Sequence, residues 1–501
     1  MTSTNQDQDR VPLLSINSLS QIYDSINLPD QIIRYQAFIQ KFQSLYNKQP
    51  SFIVRSPGRV NIIGEHIDYA GFGVLPMAIS RDLLIAVYVV EDESSVKLAN
   101  VDNEKYKTRT WEFEGDNNKI VEIKLEDGVV EWSNYFKCGY KGIIKYLGLE
   151  KPKGMYCLVD GSIPPGSGLS SSSAFVCSAV LATSYANGTE LSRKQITEIS
   201  IDSERLAGVN SGGMDQTASI FSLFGHALYI QFLPALTATP IKLPSTSPPM
   251  AFIVANSLVT ADKIATAPTG YNLRVFETRV AAYHLGLSSF GKECDILKEV
   301  SDLYTGHYEV SAINLRKLSE YVDQIYGKKD GYTIEDLTEL LNLSIDEIYD
   351  KFQGQHQVKA EKFQLYKRSK HVFEEALRVL KFYEICNSGG NSEKLFEILG
   401  GLMNESHQSC KNLFDCSSAE LDELVGICLA GGAYGSRLTG AGWGGCTVSL
   451  IKEDQTKSFI QYVTENYYKK NFPNITEKEI EDAIFATRPG SGAVIINDLF
   501  S

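Results

Sequence analysis

Residues 56–69 read SPGRVNIIGEHIDY, and this stretch organises everything around it. A strand-like run, FIVR before it and VNII within it, delivers Arg59, Glu65, His66 and Asp68 inside ten positions beside Gly58 and Gly64. Four polar groups between apolar runs are hard to assign to a core. Read alone, the segment fits a surface turn with solvated charges, the usual place for charged side chains. The functional reading is a hydroxyl-binding cluster, because carboxylates accept and imidazole donates, which suits a polyol such as a sugar. A metal site is disfavoured, since no HExxH and no second histidine at ligand spacing accompanies His66.

Outward from this stretch, the pattern alternates between strand and helix. Upstream, residues 30–48 carry Ile32, Ile33, Tyr35, Phe38, Ile39 and Phe42 at helical spacing. The first dozen residues look frayed. Downstream, VLPMAISRDLLIAVYVV (74–90) contains Arg81 and Asp82 and reads as two buried strands joined by a turn. Residues 104–132 alternate as a hairpin would, and helices are expected over 133–147, 171–187, 193–208, 215–222 and 271–290. Gly, Pro, Ser and Thr accumulate over 223–250, which reads as a break. The segment 295–385 reads as polar helix without chemistry. Two amphipathic stretches over 395–430 precede GGAYGSRLTGAGWGGCTVSLI, glycine-rich and ending as a strand. Interleaved strands and helices make the chain α+β or α/β.

Composition bounds the function. The 501 residues correspond to about three average domains or two large ones, enough for a core that needs no disulfide or metal. Lys plus Arg is 48 against 61 Asp plus Glu, a net charge of −13, which does not fit a protein that wraps nucleic acid by charge. A local cradle on an acidic protein still accepts an anionic ligand. The nine cysteines are odd in number and form no CxxC pair, so reduced thiols in a cytoplasmic protein are expected. The N-terminus lacks the basic and apolar regions of a secretory signal, and no apolar run is long enough to span a membrane.

Two further constellations carry chemistry. PPGSGLSSSSAF (164–175) places two glycines and five serines at the start of an apparent helix, where free N–H groups bind phosphate. It lacks GxxxxGK[ST], so it is not a Walker loop, and the apolar helix that follows weakens a Gly/Ser-linker reading. LTGAGWGGCTVSL (438–450) formally contains GxGxxG, but a β-type run follows, so the dinucleotide reading fails. A glycine hairpin packed against another loop remains open.

In sequence order, these three stretches resemble the signatures of the GHMP kinase superfamily, and GRVNIIGEHIDY resembles the galactokinase signature. VNSGGMDQTAS (209–219), TAPTGYNLRV (266–275) and MNESHQSCKNLFDCSSAELDEL (403–424) also look like galactokinases, in their long fungal form. The resemblance implies a two-domain α+β fold. An N-terminal mixed domain would span 1–225, and a ferredoxin-like C-terminal domain 226–501 with the helical insertion at about 295–385. It implies ATP-dependent phosphorylation of galactose at the C1 hydroxyl, with Mg²⁺.

Residue by residue, the resemblance assigns Glu65, His66 and Asp68 to the sugar and Arg59 to the reacting hydroxyl. It assigns the base to Asp215 and further sugar contacts to Gly212 and Tyr271. Gly166, Ser167, Gly168, Ser170, Ser171 and Ser172 would cradle the triphosphate, with Ser172 and Glu204 on the metal, Trp132 on adenine and Lys263 near the nucleotide. From local sequence alone, Asp215 after Gly212 and Gly213 reads as a helix cap. As a base it must stay ionised, and a neighbouring Arg59 would lower its pKa. Ala261-Asp262 precede Lys263 where fungal relatives carry Ser-Asn, and an added carboxylate near phosphates is unfavourable unless the lysine offsets it. The sister activity is N-acetylgalactosamine phosphorylation, against which Tyr271 argues. A reading of another class is a galactose- and ATP-binding co-inducer that relieves a transcriptional repressor. The expected partners are galactose, MgATP and, in that last case, the repressor, with no nucleic acid and no membrane.

Overall fold

The computed structural model of the chain describes residues 15–24, 27–113, 115, 131–208, 212–259, 268–306, 310–354, 357–388 and 394–497, and the backbone of 125–126 and 129–130. The expected frayed start, part of the hairpin expected over 104–132, and Lys263 with its Ala261-Asp262 neighbours lie outside these residues.

Among the described residues, thirteen strands build two sheets and a hairpin: β1 Ser15–Ile16, β2 Phe52–Ile63, β3 Leu75–Val90, β4 Ser95–Asn100, β5 Arg109–Glu112, β6 Gly154–Gly161, β7 His226–Gln231, β8 Thr237–Lys242, β9 Met250–Asn256, β10 Gly435–Thr439, β11 Cys446–Lys452, β12 Ile484–Thr487 and β13 Val494–Ile496. Seven of them form a mixed sheet in the order β1-β13-β2-β3-β6-β4-β5. β2 is buried along its whole length, as a strand covered on both faces must be, and its sequence is correspondingly non-alternating. A second, antiparallel sheet has the order β10-β11-β9-β12. The chain crosses to it after β8 and returns at β13, which pairs with β2 beside the strand that opens the molecule.

The helices follow the periodicity closely: α1 Leu28–Tyr46, α2 Asn134–Leu147, α3 Ser171–Ala186, α4 Arg193–Arg205, α5 Met214–Phe221 and α6 Tyr271–Phe290. α3 is apolar all round and buried on nearly every residue, between the first sheet and α2 and α4. The segment expected as polar helix contains α7 Leu297–Thr305, α8 Ala312–Ile325, α9 Ile334–Leu341, α10 Ile345–Phe352 and α11 Leu365–Asn387, with hydroxyl or acidic caps on several. α12 Leu395–Ser409 continues into a π-turn, Cys410–Phe414, before α13 Ala419–Ala430.

One reading of the sequence is corrected. Residues 75–90 form one sixteen-residue strand, not two strands and a turn. Asp82 does not break it because Arg34 and Arg55 approach its carboxylate at 2.6 Å each, and the irregularity is a register shift opposite Gly58. The Pro-rich stretch expected as a break holds the β7–β8 hairpin, tied to the start of β3 by the Val74–Ile230 bridge, and then the crossing to the second sheet. All nine cysteines are buried and unpaired. Among the described residues, no helix is long and apolar enough to cross a membrane.

Candidate active site

β2 ends at Ile63, and the chain turns sharply through Gly64 at φ 111° and His66 at φ 60°. A Cβ on Gly64 would press on Val379 and Val74 at 3.0–3.1 Å, so the turn requires glycine on both conformational and steric grounds. The Gly64 and Glu65 N–H groups donate to Glu375 Oε1 at 2.9 and 3.3 Å. The Glu65 side chain is 2% exposed, and its Oε2 lies 3.1 Å from Arg437 Nη1 yet has no donor in hydrogen-bonding alignment. Burial raises the Glu65 carboxyl, and Arg437 and then Arg59 pull it back.

His66 is held by both ring nitrogens. Nε2 donates to the Ala441 carbonyl at 2.9 Å, so Nδ1 accepts from the Tyr69 hydroxyl at 3.1 Å. Its ring packs on Phe414, Tyr271 and Trp443, which makes it as much a wall of the site as a donor. Asp68 is buried, and its carboxyl is pushed up to about 6 by desolvation and then by the charge of Asp215, while the Tyr69 and Met214 N–H groups oppose the shift. Burial raises the Tyr271 phenol well above its ordinary range.

α5 begins after Gly213, at φ 105°, and puts Asp215 in its first turn. Gly213 occupies the cap position, so the cap reading of Asp215 does not hold. Its carboxylate instead faces Arg59, with Nε and Nη2 at 2.7 and 2.6 Å from Oδ1. Arg59 Nη1 donates to the Gly168 carbonyl at 2.6 Å, joining this pair to the serine-rich loop. Gly212 packs on the first signature: a Cβ there would stand 2.6 Å from the Asp68 carboxylate.

The serine-rich loop takes left-handed conformations at Gly166, Gly168 and Ser170, then opens α3 at Ser171. The glycines of 438–450 form a β10–β11 hairpin that clamps it. A Cβ on Gly440 would lie 2.4 Å from the Gly168 carbonyl, and one on Gly445 would lie 2.7 Å from that of Ser167. The loop therefore exposes the N–H end of a long helix in a fixed shape. Ser167 Oγ donates to the Pro164 carbonyl, Ser170 Oγ is buried with no partner, and Ser171 and Ser172 are half-buried. Glu204 accepts from Gln216 Nε2 at 2.5 Å. Trp132 stacks on Phe175 of α3 at 6.0 Å between ring centres and donates to the Lys107 carbonyl.

One cavity gathers Arg59, Glu65, His66, Asp68, Ser172, Glu204, Asp215 and Tyr271, residues drawn from five separate stretches of sequence. Tyr135 also lines it and was not singled out from the sequence. Sequence reasoning also missed Arg437, Glu375 and His371. Arg437 was detectable as a charge in a strand otherwise free of charge, GSRLT. His371, Glu375 and Arg378 recur at i, i+4 and i+7, one face of α11, which the reading of a solvated helix passed over.

Three family descriptions match the chain: the galactokinase galactose-binding signature over 40–89, the GHMP kinase N-terminal domain over 134–223 and the GHMP kinase C-terminal domain over 392–469. α11 falls outside all three. The chain is 38% identical to the galactokinase of Saccharomyces cerevisiae, covering 92% of this chain and 94% of that one. It is 37% identical to the galactokinase of Dictyostelium discoideum, covering 96% and 97%. Its fold is similar to that of Lactococcus lactis galactokinase solved with galactose, at a TM-score of 0.69 and 23% identity over 92% of this chain and 99% of that one.

Proposed function

This chain belongs to the galactokinase family of GHMP kinases, and from that premise we infer that it transfers the γ-phosphoryl group of ATP to the C1 hydroxyl of galactose. The observation that carries the reading is the Asp215–Arg59–Gly168 chain of contacts, which couples a carboxylate in the sugar cavity directly to the serine-rich loop. Phosphoryl transfer to a hydroxyl needs alignment and charge neutralisation more than covalent help. Asp215 accepts the hydroxyl proton, and Arg59 holds that carboxylate ionised and in place. The Glu65 and Asp68 carboxylates accept from sugar hydroxyls, with His66, Tyr271 and Gly212 shaping the walls.

The loop from Gly166 to Ser172 fits a triphosphate: its glycines permit close approach, Ser170 Oγ is an unanswered buried donor, and a helix N-terminus stands behind it. Trp132 is suited to cover the adenine, since its ring caps the same helix. Ser172 and Glu204, oxygen donors on one cavity wall, suit a hard cation. When bound, Mg²⁺ neutralises charge on the transferring phosphate. A cytoplasmic site of action fits nine reduced thiols.

The test is ADP release by the purified protein with MgATP. Galactose should stimulate it far more than N-acetylgalactosamine or glucose. Binding of galactose and ATP without ADP release would replace the kinase by a ligand-responsive regulator.

A further inference from the structure

The main-chain groups on either side of Glu65 are tied to a single helix. The Gly64 and Glu65 N–H groups converge on Glu375 Oε1, and the Glu65 carbonyl accepts from His371 Nε2 at 3.0 Å. Glu375 and His371 stand one turn apart on α11, and both are fully buried. Each is itself fixed. Ser406 Oγ donates to Glu375 Oε1 at 2.6 Å, Arg378 Nε donates to Oε2 at 2.7 Å, and Ser409 Oγ donates to His371 Nδ1 at 2.8 Å. The His371 ring packs on Phe414 at 4.4 Å, and Phe414 packs in turn on His66.

The segment so held is one that would not hold itself. His66 sits at φ 60°, a left-handed conformation that a non-glycine residue keeps only where its surroundings over-determine it. Between it and left-handed Gly64 lies Glu65, which lines the cavity while its buried Oε2 stands 3.1 Å from Arg437 Nη1. A small rotation of this backbone would carry the carboxylate off its position between the cavity and Arg437.

We propose that Glu375 and His371 are positioning residues for sugar recognition: α11 clasps the Gly64–Glu65 backbone so that the Glu65 carboxylate stays directed at a substrate hydroxyl. The segment that reads from sequence as inert polar helix is thereby part of the sugar site's support. This assignment rests on the galactose reading above.

Calorimetric galactose titrations and kinetics with each substrate varied separately test it. Glu375→Gln keeps the shape but turns an N–H₂ group toward either the loop donors or Arg378. It should raise galactose Kd and KM roughly tenfold, the effect of about one charge-assisted hydrogen bond, with MgATP KM and kcat moved less than about threefold. His371→Phe retains the packing on Phe414 without the donor and should show the same split more weakly, and His371→Gln should recover part of the affinity. Should Glu375→Gln fail to fold, the two His371 variants decide the matter. Unchanged galactose affinity in folded variants, or equal losses for both substrates, overturns the assignment and leaves the galactose reading standing. Wild-type protein that does not bind galactose overturns both.

Discussion

Asp82 in the first sheet and Glu65 at the cleft are equally deep carboxylates facing arginines, yet they are finished differently. Asp82 accepts from Arg34 Nη1 on one oxygen and from Arg55 Nε and the Tyr23 hydroxyl on the other, and its carboxyl is held below the usual range by those cations against strong desolvation. Glu65 lines a cavity with a single guanidinium 3.1 Å from an Oε2 that has no aligned donor, and its carboxyl is raised. A closed carboxylate serves the fold, whereas an open one retains acceptor capacity for a ligand, and burial makes that capacity costly to leave unused. Glu375 is the intermediate case: its oxygens are fully engaged and its carboxyl is held at about 2, but two of its donors belong to the sugar loop.

The comparison breaks first at Asp82. Asp82→Ala leaves Arg55 fully buried without a carboxylate and half-buried Arg34 with Asp160 alone, and should cost about 3–5 kcal/mol of folding stability. Denaturant titration measures that loss, and galactose KM of the folded fraction should not move. A shifted KM would mean that the structural and functional clusters are coupled through β2 and β3.

Next in size is Asp215→Asn. The amide preserves shape and can still hydrogen-bond the hydroxyl but cannot take its proton, so kcat should fall by ~10²-fold or more while galactose affinity changes little. Steady-state ADP release alongside calorimetric galactose binding separates the two. Near-native kcat would assign alignment to Arg59 alone and leave Asp215 as its counter-ion.

How much of this was legible in advance follows from the range of the interactions. Helix α6 appears over the residues its apolar spacing marks, and α3 follows its glycine loop, because both depend on neighbours a few positions away. The three signatures were legible as chemistry because each packs unusual residues into a dozen positions. The continuity of β3 was not, since only Arg34 and Arg55, from distant elements, make Asp82 compatible with a strand interior. The role of α11 was hidden for the same reason. His371 and Glu375 look like ordinary polar helix residues until the fold brings Gly64 and Glu65, some three hundred positions away, against them. The clamp of Gly440 on Gly168 was foreseeable only as one option, because glycine content permits close approach without naming the partner.

The smallest expected effect sharpens the comparison most, because its sign is opposite to that of Asp82. Asp68 is buried against the negative charge of Asp215, and its carboxyl is pushed from 3.8 up to about 6. The folded protein therefore binds this proton more tightly than the unfolded chain does, and its stability falls as pH rises between those values. Above about 6 the charged form carries the whole penalty, and below 3.8 none remains. That gap corresponds to at most about 3 kcal/mol. Asp68→Asn removes the charge but must satisfy an amide in the same space, so a gain of about 1–2 kcal/mol is expected in ligand-free protein at pH 7.5. The gain should shrink toward zero near pH 4, the opposite of what a paired carboxylate would give. Galactose should then raise the melting temperature of the wild type more than that of the variant, since a sugar hydroxyl answers a charge that the variant lacks. Melting curves at both pH values, with and without galactose, measure all three quantities. A variant less stable than wild type at pH 7.5 would show that Asp68 is closed like Asp82, its two backbone donors sufficing, and would remove it from the set of open acceptors that defines the sugar site.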